Sequence, residues 1–155
     1  MSTFIGHIEG KRDEKGRIFV PAVYRRILSE QGATRIVMRR DADNACLVFY
    51  PEEVWNEKVN TLRAALDEWN PNDQMLLMQY MADAEFMEMD AQGRILLPKR
   101  TLESVNIEQE VLFVGMLDRF ALWSPALFER QRLDSKDLAT QIRQRITHAK
   151  NETRP

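Results

Sequence analysis

The 155-residue chain has one cysteine, two histidines and no long apolar run. A single cysteine, Cys46, excludes a disulfide within the chain, and its apolar neighbours predict a small buried thiol. No stretch approaches the roughly 18 apolar residues that a membrane helix needs. The start also lacks the charged segment and apolar run of a secretory signal. The sequence therefore predicts a globular protein of the cytoplasm, without a membrane partner.

Motifs of catalysis and of cofactor binding are missing from the sequence as well. It contains no nucleophile elbow, Walker loop, dinucleotide fingerprint or cluster of metal ligands. His7 and His148 are isolated from each other and from other candidate ligands. We therefore expect no enzyme activity, no cofactor and no metal site.

Positive charge does not predominate overall, since the net charge is −2, but it is unevenly distributed. Residues 1–40 carry nine Lys or Arg against four Asp or Glu, residues 41–90 carry two against twelve, and residues 91–155 carry eleven against eight. The acidic middle leaves the opening segment cationic, so one surface can attract phosphate while another repels it. A solvated charge run is the simpler alternative.

What the chain does contain is an internal repeat. Residues 13–21, Asp-Glu-Lys-Gly-Arg-Ile-Phe-Val-Pro, return at residues 90–98 as Asp-Ala-Gln-Gly-Arg-Ile-Leu-Leu-Pro, an offset of 77. Five of the nine positions are identical and two more are apolar in both segments. Such self-similarity at a fixed offset indicates a duplicated module.

Each copy predicts a strand, a glycine turn, a second strand ending at proline, a short helix and two further strands, in the order ββαββ. In the first copy, Gly16 suits the positive φ of a tight hairpin turn. The helix is expected to begin at Pro21, with Val23, Ile27 and Leu28 on one face.

Helices are also predicted between and after the copies. The apolar spacing predicts an amphipathic linker helix with Val59, Leu62, Leu66 and Trp69 on one side. A second helix follows Asn70-Pro71, and we expect its methionines in the core. Late in the chain, Leu138, Ile142 and Ile146 form the stripe of a marginal helix that needs a partner. The expected divisions are a first module at 5–54, a helical linker at 55–82, a second module at 83–127 and a polar C-terminal helix or tail at 128–155.

The Asp-x-x-Gly-Arg turn has a purely structural explanation, because Asp accepts backbone hydrogen bonds, Gly supplies the dihedral and Arg pairs with Asp. In the first copy its surroundings favour a function. The cationic residues crowded at this hairpin tip are Lys11, Arg12, Lys15 and Arg17. Arg suits bidentate bonding to guanine edges or phosphate, and Lys adds a flexible charge. In the second copy, Arg94 is the main candidate contact.

One basic tip alone would bind DNA weakly, with a dissociation constant of roughly 10⁻⁴ to 10⁻⁶ M. Several tips held on one duplex raise the avidity by about 10²- to 10⁴-fold. We therefore expect an oligomer.

These residues resemble the MraZ family, bacterial regulators encoded with division and cell-wall genes, whose halves are each SpoVT/AbrB-like. The resemblance covers residues 4–130 approximately. It rests on Phe4-Ile5-Gly6, Asp13-x-x-Gly16-Arg17 with Pro21 and Tyr24-Arg25, residues 46–51 with Trp55, Asp90-x-x-Gly93-Arg94, and Val114-Gly115 before Leu122-Trp123.

The resemblance implies a β-rich α+β fold, with two tandem AbrB-like modules interleaved in a double-ψ or swapped-hairpin-like β-barrel. It also implies ring-like homo-oligomers on the nucleoid that bind double-stranded DNA at repeated sites upstream of their own operon. In the family the Asp-x-x-Gly-Arg turns are associated with DNA binding. That role carries over to Asp13, Arg17, Asp90 and Arg94, with Arg17 as the first candidate.

The alternative is a protein-interaction module without direct DNA readout. AbrB-like folds also occur in antitoxins that neutralise a toxin through an extended tail, and the apolar-poor end after residue 130 suits such a tail. Salt distinguishes the two, because DNA affinity falls steeply as salt rises, whereas a protein-only module leaves heparin at low salt.

Overall fold

The structure is a computed structural model that describes residues 3–33 and 35–152. The first copy comprises β1 (His7–Lys11), β2 (Arg17–Phe19), α1 (Ala22–Glu30), β3 (Ile36–Arg40) and β4 (Leu47–Pro51). Two helices follow, α2 (Glu52–Ala65) and α3 (Pro71–Ala82). The second copy comprises β5 (Ala84–Met87), β6 (Arg94–Leu96), α4 (Lys99–Ser104), β7 (Glu110–Gly115) and β8 (Phe120–Trp123). The chain continues as α5 (Pro125–Gln131) and α6 (Ser135–Glu152). The predicted ββαββ order is confirmed in both copies. Residues 1–2 at the predicted start and 153–155 of the predicted tail lie outside the described residues.

The two copies exchange their first strands. Strand β1 pairs antiparallel with β7 of the second copy, and β5 pairs antiparallel with β3 of the first. The copies also meet at β4 and β8, which gives one six-stranded sheet in the order β1-β7-β8-β4-β3-β5. Strands β2 and β6 pair with each other in a separate two-stranded ribbon.

The expected hairpin of β1 with β2 is wrong. The turn between them reverses the chain, but in the described residues the two segments share one isolated bridge, Arg12↔Ile18. The backbone groups of β1 are used by β7, with five residue pairs in register from His7↔Val114 to Lys11↔Glu110. The strand therefore belongs to the large sheet and only the turn belongs to the ribbon.

The fold is α+β and rich in β-structure, as predicted, but the described residues contain no closed barrel. Strands β1 and β5 each have one partner and form the two edges of the sheet. The ribbon strands pair with each other and not with those edges. The expected double-ψ or swapped-hairpin-like closure is therefore not found.

An aromatic cluster forms the centre of the core between the sheet and α1. Tyr24 packs edge-on against Phe4, with ring centroids 5.2 Å apart, and lies 5.0 Å from Phe120. Phe120 in turn stacks on Phe49 at 5.2 Å. The inner face of α1 is thus Tyr24, Ile27 and Leu28, whereas Val23, predicted to share a face with Ile27 and Leu28, is 45% exposed. The residues at 24, 27 and 28 have the three- and four-residue spacing of one helix face.

The linker helices differ from their predicted packing. Helix α2 ends at Ala65, and Leu66 has an extended backbone, so Trp69 does not continue the stripe and is 85% exposed. The buried residue of α2 is Trp55, whose ring stacks on that of Tyr80 in α3 with the ring centroids 5.5 Å apart.

The expectation that the α3 methionines lie in the core is wrong. Helix α3 buries none of its residues, and Met75, Met78 and Met81 are between 42% and 56% exposed. Asn70 caps this helix by accepting hydrogen bonds from the backbone N–H groups of Asn72 and Asp73. The helix therefore begins where Asn-Pro predicts, but Met75, Leu76, Met78 and Met81 remain about half exposed within the described chain.

The chain forms two compact units, one reaching Pro125 and one beginning at Ala126. In the second unit, the predicted stripe lies on helix α6, and Leu138, Ile142 and Ile146 are each about half exposed. Within the described ranges, none of the helices combines the length and apolarity that crossing a bilayer requires.

Candidate nucleic-acid interface

The two Asp-x-x-Gly-Arg turns, residues 13–17 and 90–94, have the same internal geometry. In the first turn, Asp13 Oδ1 accepts hydrogen bonds from the backbone N–H groups two and four residues later, at 3.0 and 2.8 Å. Its Oδ2 accepts from Arg17 Nε at 2.6 Å. In the second turn the corresponding distances from Asp90 are 2.9, 2.9 and, from Arg94 Nε, 2.8 Å. The predicted pairing of Asp with Arg is confirmed in both copies.

These bonds stabilise the ionised carboxylates. The backbone N–H of Arg17, assisted by its guanidinium, holds the pKa of Asp13 below its usual value. The backbone N–H and guanidinium of Arg94 lower the pKa of Asp90 in the same way. The ion pair engages Nε of each guanidinium, and the Nη groups are the donors that this bond does not use.

Each turn needs its glycine, but for a different reason. Gly16 and Gly93 have φ of +89° and +85°, which L side chains rarely adopt. A Cβ at position 16 would overlap the carbonyl oxygen of Leu97, whereas a Cβ at position 93 would overlap the guanidinium of Arg25. The first glycine makes room for the backbone of Leu97, just after β6, and the second makes room for the side chain of Arg25.

The ribbon of β2 and β6 joins the two turns. Its register pairs Arg17 with Leu96, Ile18 with Ile95 and Phe19 with Arg94. Ile18 and Ile95 are buried in the core, so the alternating residues on either side of them lie on the opposite, outward face. Because the strands are antiparallel, the turns lie at opposite ends of the ribbon, in an approximately two-fold arrangement.

A cleft of about 600 Å³ lies beside the ribbon, bounded by β1, the first turn and the start of α1. We call it the basic cleft. Its cationic lining residues are Lys11, Arg12, Arg17, Arg25 and Arg94, and its acidic lining residues are Glu9 and Asp13. Positive side chains therefore outnumber negative ones here, in a protein whose net charge is −2.

The basic cleft brings together most of the residues that the sequence singled out. The predicted residues that line it are Lys11, Arg12, Asp13, Arg17 and Arg94. Lys15 and Asp90 belong to the turns but do not line the cleft. The arginine of the second copy thus joins the cationic residues of the first, because β6 pairs with β2 in the ribbon.

Among the cationic residues that line the cleft, Arg25 is the one that the sequence did not identify as a candidate contact. It follows the buried Tyr24 on α1, and its Nε is buried without a hydrogen-bond partner in the part of the chain that is described. Gly93 gave no usable signal in the sequence, because a glycine that makes room for a distant side chain is recognised only when that side chain has been placed. The pair Tyr24-Arg25 belongs to the family pattern, and this was the one indication in the sequence that Arg25 belongs to the site.

Fold and site define a class: β-rich α+β proteins in which two copies of one module exchange strands and contribute arginines to a shared cationic cleft. A family model described as "MraZ protein, putative antitoxin-like" matches residues 3–78 and 80–148. The chain belongs to the MraZ family.

Relatives match over nearly the whole chain. A protein of Bacteroides fragilis is 42% identical over 136 residues, which are 88% of this chain and 86% of the relative. One from Phocaeicola vulgatus is 39% identical, covering 90% of both chains. One from Bacteroides thetaiotaomicron is 37% identical, covering 92% of this chain and 91% of the relative. Each of the three is named transcriptional regulator MraZ.

Proposed function

We propose that this chain is a transcriptional regulator, not an enzyme, and that it binds double-stranded DNA through the basic cleft and the adjoining ribbon. The supporting observation is the gathering of five cationic side chains from both copies in one cleft. Duplex DNA carries one negative charge per roughly 1.7 Å of its axis, so a compact cationic surface on an otherwise acidic protein fits it. The names of the relatives agree with this assignment.

Arg17 and Arg94 are the proposed primary contacts. Asp13 and Asp90 hold the Nε atoms of these arginines at 2.6 and 2.8 Å, which restricts the guanidinium before any DNA arrives. A side chain that is already ordered loses less conformational entropy on binding. The remaining donors suit guanine edges or phosphate oxygens, and the two aspartates act as positioning residues.

The other cations have a positioning role in this proposal. Lys11, Arg12 and Arg25 line the basic cleft and supply charge for phosphates that flank the ribbon. Lys15, whose backbone N–H bonds to Asp13, lies in the exposed first turn and adds charge at its tip. Contacts to phosphate fix the register of a protein on DNA without reading its sequence.

We further propose that the chain acts as a ring-like homo-oligomer, at repeated sites upstream of its own operon in the division and cell-wall gene cluster. Several clefts on one duplex multiply a modest single-site affinity. The exposed apolar residues of α3, among them Leu76 and Met78, are a surface that subunit contact would cover. Such a protein would be found with the nucleoid in the cytoplasm.

We propose to divide the chain into two modules, a linker and a tail. The modules span residues 5–54 and 83–127, the linker spans 55–82 and the tail spans 128–155. The exchange of β1 and β5 supports interleaving of the two modules. In this proposal, an AbrB-like barrel closes when an edge strand of the sheet, β1 or β5, pairs with a further strand.

Replacement of Arg17 by alanine tests the proposed function. The wild-type chain and Arg17→Ala are titrated against a duplex from the region upstream of the gene, by fluorescence anisotropy at several salt concentrations. Losing one bidentate contact, worth about 1–3 kcal/mol, weakens binding about 5- to 150-fold, and losing one phosphate contact lowers the salt slope by about one.

Arg63→Ala is the matched control. Arg63 lies on α2, away from the cleft lining, and its loss changes the net charge by the same amount. Affinity of Arg17→Ala equal to wild type at the same salt, with an unchanged melting temperature, would contradict DNA binding by the first turn.

A protein-interaction role is the second candidate function. It is favoured by the half-exposed stripe Leu138, Ile142 and Ile146 on α6, and by the antitoxin-like description of the family. In that case the protein leaves heparin at low salt and its affinity for duplex DNA is negligible. Elution at high salt supports the DNA-binding function instead.

A further inference from the structure

Two apolar side chains lie on the outward face of the ribbon beside its arginines. Phe19 and Leu96 are each 57% exposed. In the register, Leu96 lies opposite Arg17 and Phe19 lies opposite Arg94, whose guanidinium carbon is 5.8 Å from the centre of the phenyl ring. The same arrangement, an arginine followed two residues later by an apolar residue, therefore occurs once in each copy.

The core does not account for these two side chains. The inner face of the ribbon is complete with Ile18 and Ile95, which are 0% and 1% exposed. Isolated exposed apolar residues are common on protein surfaces. Two of them repeated at equivalent positions, and alternating with arginines on a narrow ribbon, form a patterned surface with two hydrogen-bonding and two apolar positions.

The major groove of DNA offers a matching pattern. It is wide enough for a two-stranded ribbon, and the one apolar group that its base edges present is the C5 methyl of thymine. Phosphates and sugars offer positions for Arg17 and Arg94 but nothing comparable for a phenyl or isobutyl group. Of the chemical groups along a duplex, the thymine methyl is thus the one that suits Phe19 and Leu96.

We propose that Phe19 and Leu96 are specificity-determining residues that contact thymine methyl groups in the major groove. This inference rests on the proposed DNA-binding function. The two side chains are two positions apart along antiparallel strands, about 7 Å at roughly 3.3 Å per residue. With a base-pair spacing of about 3.4 Å, a ribbon lying along the groove reads thymines about two base pairs apart.

Deoxyuridine tests the proposal because it differs from thymidine only by the absent C5 methyl. Two duplexes of the same upstream sequence, one with thymine and one with uracil throughout, are titrated with the wild-type chain at fixed salt. Burying one methyl group is worth about a fourfold change in affinity, so wild type binds the uracil duplex about 4- to 16-fold more weakly.

The double variant Phe19→Ala, Leu96→Ala assigns the effect to these residues. It binds both duplexes equally, and its salt slope equals that of wild type because no charge has been removed. Trp69→Ala is the control for loss of an exposed apolar side chain elsewhere, since Trp69 is 85% exposed and lies between α2 and α3. It retains full discrimination between thymine and uracil.

The outcomes separate this proposal from the one on which it rests. Equal affinity of wild type for both duplexes overturns the thymine contact, while steep salt dependence and the Arg17→Ala defect still support DNA binding. Discrimination that persists in the double variant overturns the assignment to Phe19 and Leu96. A double variant that loses assembly mass in light scattering but still discriminates places this face in a subunit contact and also overturns it. Failure of wild type to bind either duplex at low salt overturns both proposals.

Discussion

Arg25 of the first copy lies against Gly93 of the second, so closely that a Cβ at position 93 would overlap its guanidinium. The contact joins the helix α1 to the second turn. It places a cation of one copy beside Arg94 of the other in the lining of the basic cleft. This contact and the pairing of β2 with β6 therefore produce a composite site that neither copy forms alone.

Alanine at each glycine of the turns should separate backbone crowding from side-chain crowding. Gly16→Ala lowers the free energy of unfolding more than Gly93→Ala, because position 16 is blocked by the backbone oxygen of Leu97 and position 93 by a flexible arginine. Gly32→Ala, at φ +68° in open space, measures the cost of the positive φ alone, about 1–2 kcal/mol. Urea denaturation of the three variants gives the ranking. Equal losses would show that the contact with Leu97 relaxes without cost.

Arg25→Ala should weaken DNA binding without lowering stability much. Arg25 lines the basic cleft, and its buried Nε has no hydrogen-bond partner in the described residues. Truncating the side chain therefore breaks no hydrogen bond of Nε. We expect about a 10-fold loss of affinity at low salt, measured by anisotropy beside Arg63→Ala. Loss in both variants to the same extent would indicate a general effect of charge and not of the cleft.

The two turn aspartates should make stability depend on pH in the acid range. Their pKa values are below the ordinary value of about 4, so their contribution is complete above that value and is lost as pH falls through the lower folded-state pKa. Melting temperatures of wild type therefore fall between pH 5 and pH 2. The variant Asp13→Asn, Asp90→Asn, which keeps an acceptor oxygen in each turn, should show a shallower fall. Parallel curves would argue against this linkage.

Cys46 should be almost unreactive in the native protein. Burial, with a smaller effect of Asp41, raises the pKa of the thiol to about 12. Since the thiolate is the reactive form, modification by a disulfide reagent at pH 8 should be on the order of a thousandfold slower than in denaturant. Native and denatured rates that agree within tenfold would mean that the site opens readily.

The proposed ring predicts a mass well above the 18.2 kDa of one chain in light scattering at micromolar concentration. Leu76→Ser with Met78→Ser, on the exposed face of α3, should lower that mass because a polar side chain disfavours burial in a contact. Val23→Ser on α1 is the control for a comparably exposed apolar residue. A monomeric wild-type chain would rule out the ring and leave avidity out of the mechanism.

Several features of this protein follow from its sequence alone. The duplication, the order ββαββ and the pairing of Asp13 with Arg17 are all visible in short segments. The strand order and the turn pairing are local, because each depends on residues within a few positions of one another, where backbone geometry and hydrogen bonding leave few choices. The glycines in the turns and the prolines before the helices are local features of the same kind, which the sequence shows directly.

Tertiary structure alone decided which strands pair and which apolar faces are covered. Nothing in the pattern of β1 distinguishes β2 from β7 as its partner, and the helical spacing of α3 does not reveal that its methionines remain about half exposed. Burial is a property of what surrounds a residue, and the surroundings come from segments dozens of positions away. For the same reason, Arg25 became part of the site only when the fold placed it against Gly93.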